Sequence, residues 1–138
     1  MGIKQISVFL ENTIGRLSEV TKTLANTGVN LRAISIADTA DFGILRLIVD
    51  KNEEAVNALT AAGFTTRQND VLAVEIEDVP GSLARLMELF RQSQVNIDYM
   101  YASLEGKVGK AVVILRPDNY EQGKKLMDEH NIKMAEKF

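Results

Sequence analysis

The 138-residue chain contains no cysteine. Disulfides, thiolate zinc sites and thiol nucleophiles are thereby excluded, and nothing speaks for an oxidising compartment. There is a single histidine, His130, directly after Glu129. One late imidazole cannot be built into a Ser-His-Asp set, and near the end of a helical stretch it reads as favourable charge placement. No apolar run approaches the length that a membrane-spanning helix needs, so no membrane span is expected. The start, Met1-Gly2-Ile3-Lys4-Gln5-Ile6, lacks the apolar stretch of a signal peptide. A cytoplasmic protein is the expectation. Nor is there a basic surplus: 16 Lys and Arg against 19 Asp and Glu leave a net charge of −3. The cations are scattered, which argues against a nucleic-acid partner. No EF-hand spacing appears, and Glu53-Glu54 and Asp38/Asp41 read as solvated, so neither a metal nor a cofactor is implied.

What is present suits a globular protein. Hydrophobic residues make up 46% and charged residues 25%. A chain of this length can bury roughly two-thirds of its unfolded surface.

The sequence also repeats. Slid along itself until Glu11 meets Glu77, it lays Glu11-Asn12-Thr13-Ile14-Gly15-Arg16-Leu17 on Glu77-Asp78-Val79-Pro80-Gly81-Ser82-Leu83. The same register lays Val29-Asn30-Leu31 on Val95-Asn96-Ile97, Phe42-Gly43 on Val108-Gly109 and Ile48 on Ile114, without a gap. Each copy reads as strand, helix, strand, strand, helix, strand. In the first, Ile6, Val8 and Leu10 alternate with Gln5, Ser7 and Phe9 over residues 3–11, a period of two. Leu17, Val20, Leu24 and Ala25 follow at helical spacing until Gly28. Strands are expected over 29–37 and 42–50, then a helix capped by Asn52 and ended by Gly63, then a short strand near 64–67. In the second copy Leu72, Val74 and Ile76 alternate, and Leu83, Leu86, Leu89 and Phe90 form a helical stripe. Strands are expected over 95–103 and 110–115, a helix capped by Asp118 to about Glu129, and a last strand from Ile132 and Met134 to the chain end.

That order defines a fold class of α+β: two ferredoxin-like βαββαβ units, each an antiparallel sheet with helices on one face. The domains are expected at residues 1–69 and 70–138. The polar stretch Gln68-Asn69-Asp70 is too short for a flexible linker, so the units are expected to lie side by side.

The turn between first strand and first helix carries the chemistry. Gly15 and Gly81 lack a Cβ, so the backbone can bend sharply and approach a ligand. The helix that follows offers free N–H groups to a carboxylate. Asn12 and Asp78 can accept bonds from an ammonium group, and Asn30 and Asn96 are expected close to the same turn. Donors for a carboxylate beside acceptors for an amine suit a free amino acid. Taken singly, each position favours the ordinary reading of a cap, Asx-turn or geometric glycine; the case rests on the set occurring twice in register.

These strings resemble the ACT domain, whose signature is similar to a strand, Asn/Asp-x-Pro-Gly-x-Leu, a helix and Gly-Val-Asn-Ile. Gly28-Val29-Asn30-Leu31 nearly matches the last element. The resemblance spans essentially the whole chain as two tandem domains. It implies a non-catalytic regulatory module that binds small ligands, usually amino acids, at interfaces between paired ACT domains. It also implies a homodimer and a regulated enzyme partner. Carried over by position, the ligand-binding residues are Asn12, Ile14, Gly15, Arg16, Leu17 and Asn30 in the first copy. In the second they are Asp78, Val79, Pro80, Gly81, Ser82, Leu83 and Asn96. The first copy departs from the signature, with Ile14 where proline is usual, so its turn is less fixed in advance.

Two other readings stand beside this. One is a protein–protein adaptor that keeps the ACT scaffold without a ligand. The other is an enzyme using carboxylates alone, disfavoured by the missing nucleophile, second histidine and metal motif. Tyr99 and Tyr101, alternating with Met100, are expected on the sheet face away from the helices. Aromatics there could stack on RNA, but Lys110–Ile114 lacks the aromatics of an RNA-recognition strand. Packing against a second sheet or subunit is the better expectation. In the first copy that face carries Ala33 and Ser35.

Overall fold

The computed structural model describes residues 3–38, 41–104 and 107–135. Thr39 and Ala40, between the strands expected over 29–37 and 42–50, lie outside them, as do the last three residues of the expected final strand. The chain divides into two compact units, residues 4–69 and the residues from Asp70 onward together with Ile3. The first unit holds β1 (Ile3–Glu11), α1 (Arg16–Asn26), β2 (Leu31–Asp38), β3 (Phe42–Val49), α2 (Asn52–Ala61) and the opening residues of β4 (Thr65–Glu77). The second holds the rest of β4, then α3 (Ser82–Gln92), β5 (Ile97–Ala102), β6 (Lys110–Pro117) and α4 (Tyr120–Glu129).

Within the first unit the strand order is β2-β3-β1-β4. Antiparallel pairing sets Ile6 opposite Leu47 and Glu11 opposite Phe42, and Leu31 opposite Val49 and Asp38 opposite Gly43. The period-two pattern of β1 puts Ile6, Val8 and Leu10 on the helix side, where all three are buried. They meet Val20 and Leu24 from α1, Ala55 and Leu59 from α2, and Leu45 and Leu47 from β3 in one core. The second unit repeats this: Leu72 and Val74 meet Leu86, Phe90, Leu126 and Met127, with Val113 and Leu115 from β6. Burying each of the larger side chains among these contributes roughly 1.5–3 kcal/mol, so the helical stripes, rather than helix propensity, hold the helices in place. The buried stripes are shorter than the sequence pattern suggests. Leu17 stays 41% and Leu83 38% exposed, and Ala25 is exposed.

Four expectations are corrected. The short strand near 64–67, the polar stretch 68–70 and the alternating run 72–76 are one 13-residue strand, β4. A polar side chain does not interrupt a strand where it need not be buried, and Gln68 and Asn69 hold extended backbone like their neighbours. The last strand of the second copy shrinks, among the described residues, to a single bridge between Val74 and Met134. Backbone bonds Glu75 N–H to Lys133 O and Ala135 N–H to Ala73 O flank it. Neither expected side-chain cap forms. Lys51 precedes α2 without a side-chain bond, and Asn119, not Asp118, caps α4 by accepting from the Gln122 N–H at 3.1 Å. Finally, the repeat is not gapless. Ile6 faces Leu47 while Leu72 faces Leu115, and in the register that lays Ile6 on Leu72, Leu47 falls on Val113 instead. The second copy is therefore longer across the hairpin between its second and third strands. Gly43 and Gly109 are not equivalent.

On the face away from the helices, Gln5, Ala33 and Ile48 are buried in the first unit, and Ala73 and Ile114 in the second. Gln5 donates to Ser7 Oγ at 3.4 Å and Asn69 Oδ1 at 3.3 Å, which limits the cost of its burial. Met100 packs on the helix-side core. Alternation then turns Tyr99 and Tyr101 to the other face, where both are half-buried.

With Leu47 aligned on Leu115, Ala55 of α2 corresponds to Gly123 of α4, and Val49 to Pro117. A Cβ at Gly123 would stand 2.9 Å from Cγ of the Pro117 ring. The first unit fits a methyl where the second fits a ring. Gly123→Ala should therefore lose stability. Overpacking costs about 1–3 kcal/mol against about 1 kcal/mol gained in helix propensity. Urea unfolding should show a lowered midpoint, largely restored when Pro117→Val is added.

The bridge at Met134 carries a charge pair, Lys133 Nζ to Glu75 Oε2 at 3.2 Å. The Lys133 ammonium, by its hydrogen bond first, holds the Glu75 carboxyl below its ordinary range against the opposing effect of burial. A carboxyl depressed on folding stabilises above its unfolded value and loses that contribution as pH falls through the folded one. Lys133→Met should thus unfold with a shallower acid-side loss of urea midpoint, between about pH 5 and about pH 3, than the parent chain.

Candidate functional site

The two strand–helix turns are closely alike in backbone. Gly15 has φ 91° and ψ −14°, and Gly81 has φ 90° and ψ −12°. Both sit at the N-cap in left-handed conformation, which a side chain with a Cβ adopts only with strain. Neither helix receives a side-chain cap. Arg16 N–H donates to Thr13 O at 3.4 Å and Ser82 N–H to Val79 O at 3.3 Å, so the helix dipole and the N–H groups of the next two residues are what the turn presents. Each turn is tied to the neighbouring hairpin by one backbone bond. Asn12 N–H donates to Asp41 O at 2.9 Å, and Asp78 N–H donates to Gly109 O at 3.0 Å. Behind each turn the first helical bond closes onto the glycine: Glu19 N–H to Gly15 O and Arg85 N–H to Gly81 O, both 3.0 Å.

The side chains differ more than the backbones. Asn12 and Asp78 are exposed, and among the described residues neither side chain is engaged in a hydrogen bond. Ile14 is fully exposed, and Val79 is 54% exposed. Leu17 and Leu83 rise beside them from the first helical residues. Arg16 is committed elsewhere: its guanidinium lies 4.6 Å from the centre of the Phe64 ring and pairs with Glu19 at 2.7 Å. In the second copy Ser82 replaces that arginine and is buried, its Oγ accepting from Arg85 at 3.3 Å. Arg85 also lies 3.1 Å from where a Cβ on Gly81 would stand, whereas the space at Gly15 is open.

Asn30 and Asn96 do not join the turns of their own units. Leu31 pairs at the Val49 end of β3 and Glu11 at the Phe42 end. The whole length of β3 separates the two levels, about 23 Å at roughly 3.3 Å of rise for each residue. The same separation divides Ile97 at Pro117 from Glu77 at Lys110. Helix α1 carries the chain back down the sheet before β2 begins, so Asn30 opens its strand at the far end. There Asn30 N–H donates to Asp50 Oδ1 at 2.9 Å, and Asn96 N–H to Asp118 Oδ1 at 3.2 Å. Asn96 Nδ2 also donates to Asp98 Oδ1 at 3.2 Å. The residues that sequence reasoning missed are Asp41 and Gly109, whose carbonyls anchor the turns, and Phe64, which holds Arg16. Only the strand register reveals the first two, and no local signal links Arg16 to a ring so far along the chain. Among the described residues no cluster of three His, Asp or Glu side chains could hold a metal.

Each unit thus presents an open strand–helix turn, with backbone donors and a free polar side chain, on a ferredoxin-like α+β frame. The chain belongs to the ACT domain pair family, whose model matches residues 1–137. A solved protein of Bacteroides thetaiotaomicron is 38% identical, with a TM-score of 0.92, covering 98% of this chain and 92% of that one. The regulatory subunit of aspartate kinase from Thermus thermophilus, in ligand-free form, shares the fold at 18% identity and TM-score 0.67, over 93% and 91% of the two chains. The corresponding subunit from Thermus flavus does so at 17% identity and TM-score 0.64, over 94% and 92%. No protein of curated function matches the chain. Among the described residues no helix is long and apolar enough to cross a membrane.

Because the space at Gly15 is open, Gly15→Ala isolates the cost of the left-handed backbone. Its melting temperature should fall by the equivalent of about 1–2 kcal/mol, and Gly15→Asn, a residue that tolerates this region, should fall less. Gly81→Ala should cost more than Gly15→Ala, because it also displaces Arg85. Thermal unfolding of the three variants checks the ranking.

Proposed function

We propose that this ACT pair is a non-catalytic regulator that binds a free amino acid at its strand–helix turns and signals to an enzyme partner in the cytoplasm. The observation that carries the reading is the same left-handed turn built twice, with the same hairpin anchor and a free Asn or Asp beside it. The ligand carboxylate meets the first-turn N–H groups of the helix, a favourable placement for an anion. Its ammonium meets Asn12 or Asp78. Of the two turns, Asp78–Gly81 is the stronger, because Pro80 fixes its own φ beforehand and Asp78 brings a full negative charge.

Each turn alone is too open to desolvate a ligand. The exposed Ile14 and Leu17, and Val79 and Leu83, call for a cover, which a second copy in a homodimer supplies. In that arrangement an Asn30 or Asn96 that meets a ligand comes from the other copy. A ligand of so few atoms can still reach micromolar affinity, about −8 kcal/mol.

Thermal shift against the twenty amino acids should single out one or a few that raise the melting temperature. Asp78→Ala should abolish the effect and Asn12→Ala weaken it. A flat response from all twenty overturns the reading. The adaptor alternative gains from Ile14, a fully exposed apolar residue at the less standard turn. Co-purification of a stable partner whose binding no amino acid alters would favour it.

A further inference from the structure

The second unit contains a cavity of about 400 Å³ beside α4, within the range of small-molecule sites. Leu72, Ile132 and Met134 supply apolar wall, and Tyr120, Lys124 and Asp128 line it from successive turns of one helix face. The Tyr120 hydroxyl is buried and has no hydrogen-bond partner among the described residues. An orphaned buried hydroxyl is costly and uncommon in folded proteins. Burial also pushes the Tyr120 phenol up, keeping it in its donating form. Lys124 is half-buried, and among the described residues no ion pair engages it.

The first unit provides an internal control. With Leu47 aligned on Leu115, Tyr120, Lys124 and Ile132 correspond to Asn52, Val56 and Phe64. There Asn52 donates to Lys4 O at 3.5 Å, Val56 packs on the core and Phe64 is buried. An apolar, bonded corner in one copy has become a cavity lined by an unpartnered buried hydroxyl and a half-buried ammonium in the other. Ordinary packing does not require that exchange.

We propose that this cavity is a second ligand site, separate from the strand–helix turns, for a small carboxylate with a short apolar tail. The carboxylate accepts from Tyr120 Oη and Lys124 Nζ, and the tail lies on Leu72, Ile132 and Met134. Asp70, Glu121 and Asp128 already act on the Tyr120 hydroxyl, opposed by Arg116, so Lys124 balances one ligand carboxylate and a dicarboxylate is disfavoured.

The test titrates the full chain with hexanoate, phenylacetate, adipate and hexanol, followed by amide chemical shifts. Hexanoate and phenylacetate should perturb residues of α4 and β4 and saturate, while adipate and hexanol bind at least roughly tenfold more weakly. Lys124→Met should cut hexanoate affinity by a similar factor without unfolding the unit, since the first unit already carries Val56 at that position. Tyr120→Phe should be more stable than the parent without ligand and yet bind hexanoate more weakly, a combination that a purely structural role does not produce. Asp78→Ala should leave hexanoate binding intact, which separates failure at this site from failure at the turns. No saturating response to either monocarboxylate up to about 10 mM, or parent-like binding by Lys124→Met, overturns the proposal.

Discussion

One backbone hydrogen bond in each unit, from the residue after the first strand to a carbonyl of the β2–β3 or β5–β6 hairpin, sets the frame on which the rest depends. It closes the ladder between first and third strands at the end where the helix must begin. With that end fixed, the pleat decides that Ile6, Val8 and Leu10, or Leu72 and Val74, face the helices. A slip of one residue would turn each set to the opposite face. The left-handed glycine follows from the same constraint. The chain leaves the ladder edge and must reverse onto the sheet within a single turn, and only a residue free to take positive φ does so cheaply.

The consequences run outward from that corner. Helix N-termini emerge uncapped by side chains because the glycine, not an Asn or Ser, occupies the N-cap. The donors thus left open are available to anions. The Asn or Asp at the start of the turn is not a cap but a free side chain at the rim. A sequence that would be ordinary capping on another scaffold becomes, here, an exposed polar group beside a positive helix end.

Most of the fold is legible in the sequence, and less of the site. Alternation in β1 and the stripe of Val20, Leu24, Leu86 and Phe90 report burial directly, because burial is what writes those patterns. Pairing register writes no such pattern. Gly43 and Gly109 align by identity, yet Leu47 and Leu115 are the equivalent pair and the glycines are not. Asn30 and Asn96 stand away from their expected place for a related reason. Residues near in sequence motif lie at opposite sheet ends once the helix has carried the chain back. The caps depart more locally: Asp118 is drawn off by the Asn96 N–H, leaving Asn119 to do what either could. Arg16, carried over by position alone, is held by Phe64 and Glu19, a contact only the tertiary fold creates.

The corner between the last sheet residue and the second helix differs between copies as a matched exchange, Val49 with Ala55 against Pro117 with Gly123. Neither half of the exchange is independent of the other. Alanine beside Pro117 would crowd its ring, since a Cβ at Gly123 stands 2.9 Å from Cγ, while glycine in place of Ala55 would give up a buried methyl and loosen the helix. The corner therefore moves as a pair: a segment grafted from one unit to the other keeps its fit only if it brings both residues, and a graft that divides them between parents is the one that unfolds more easily.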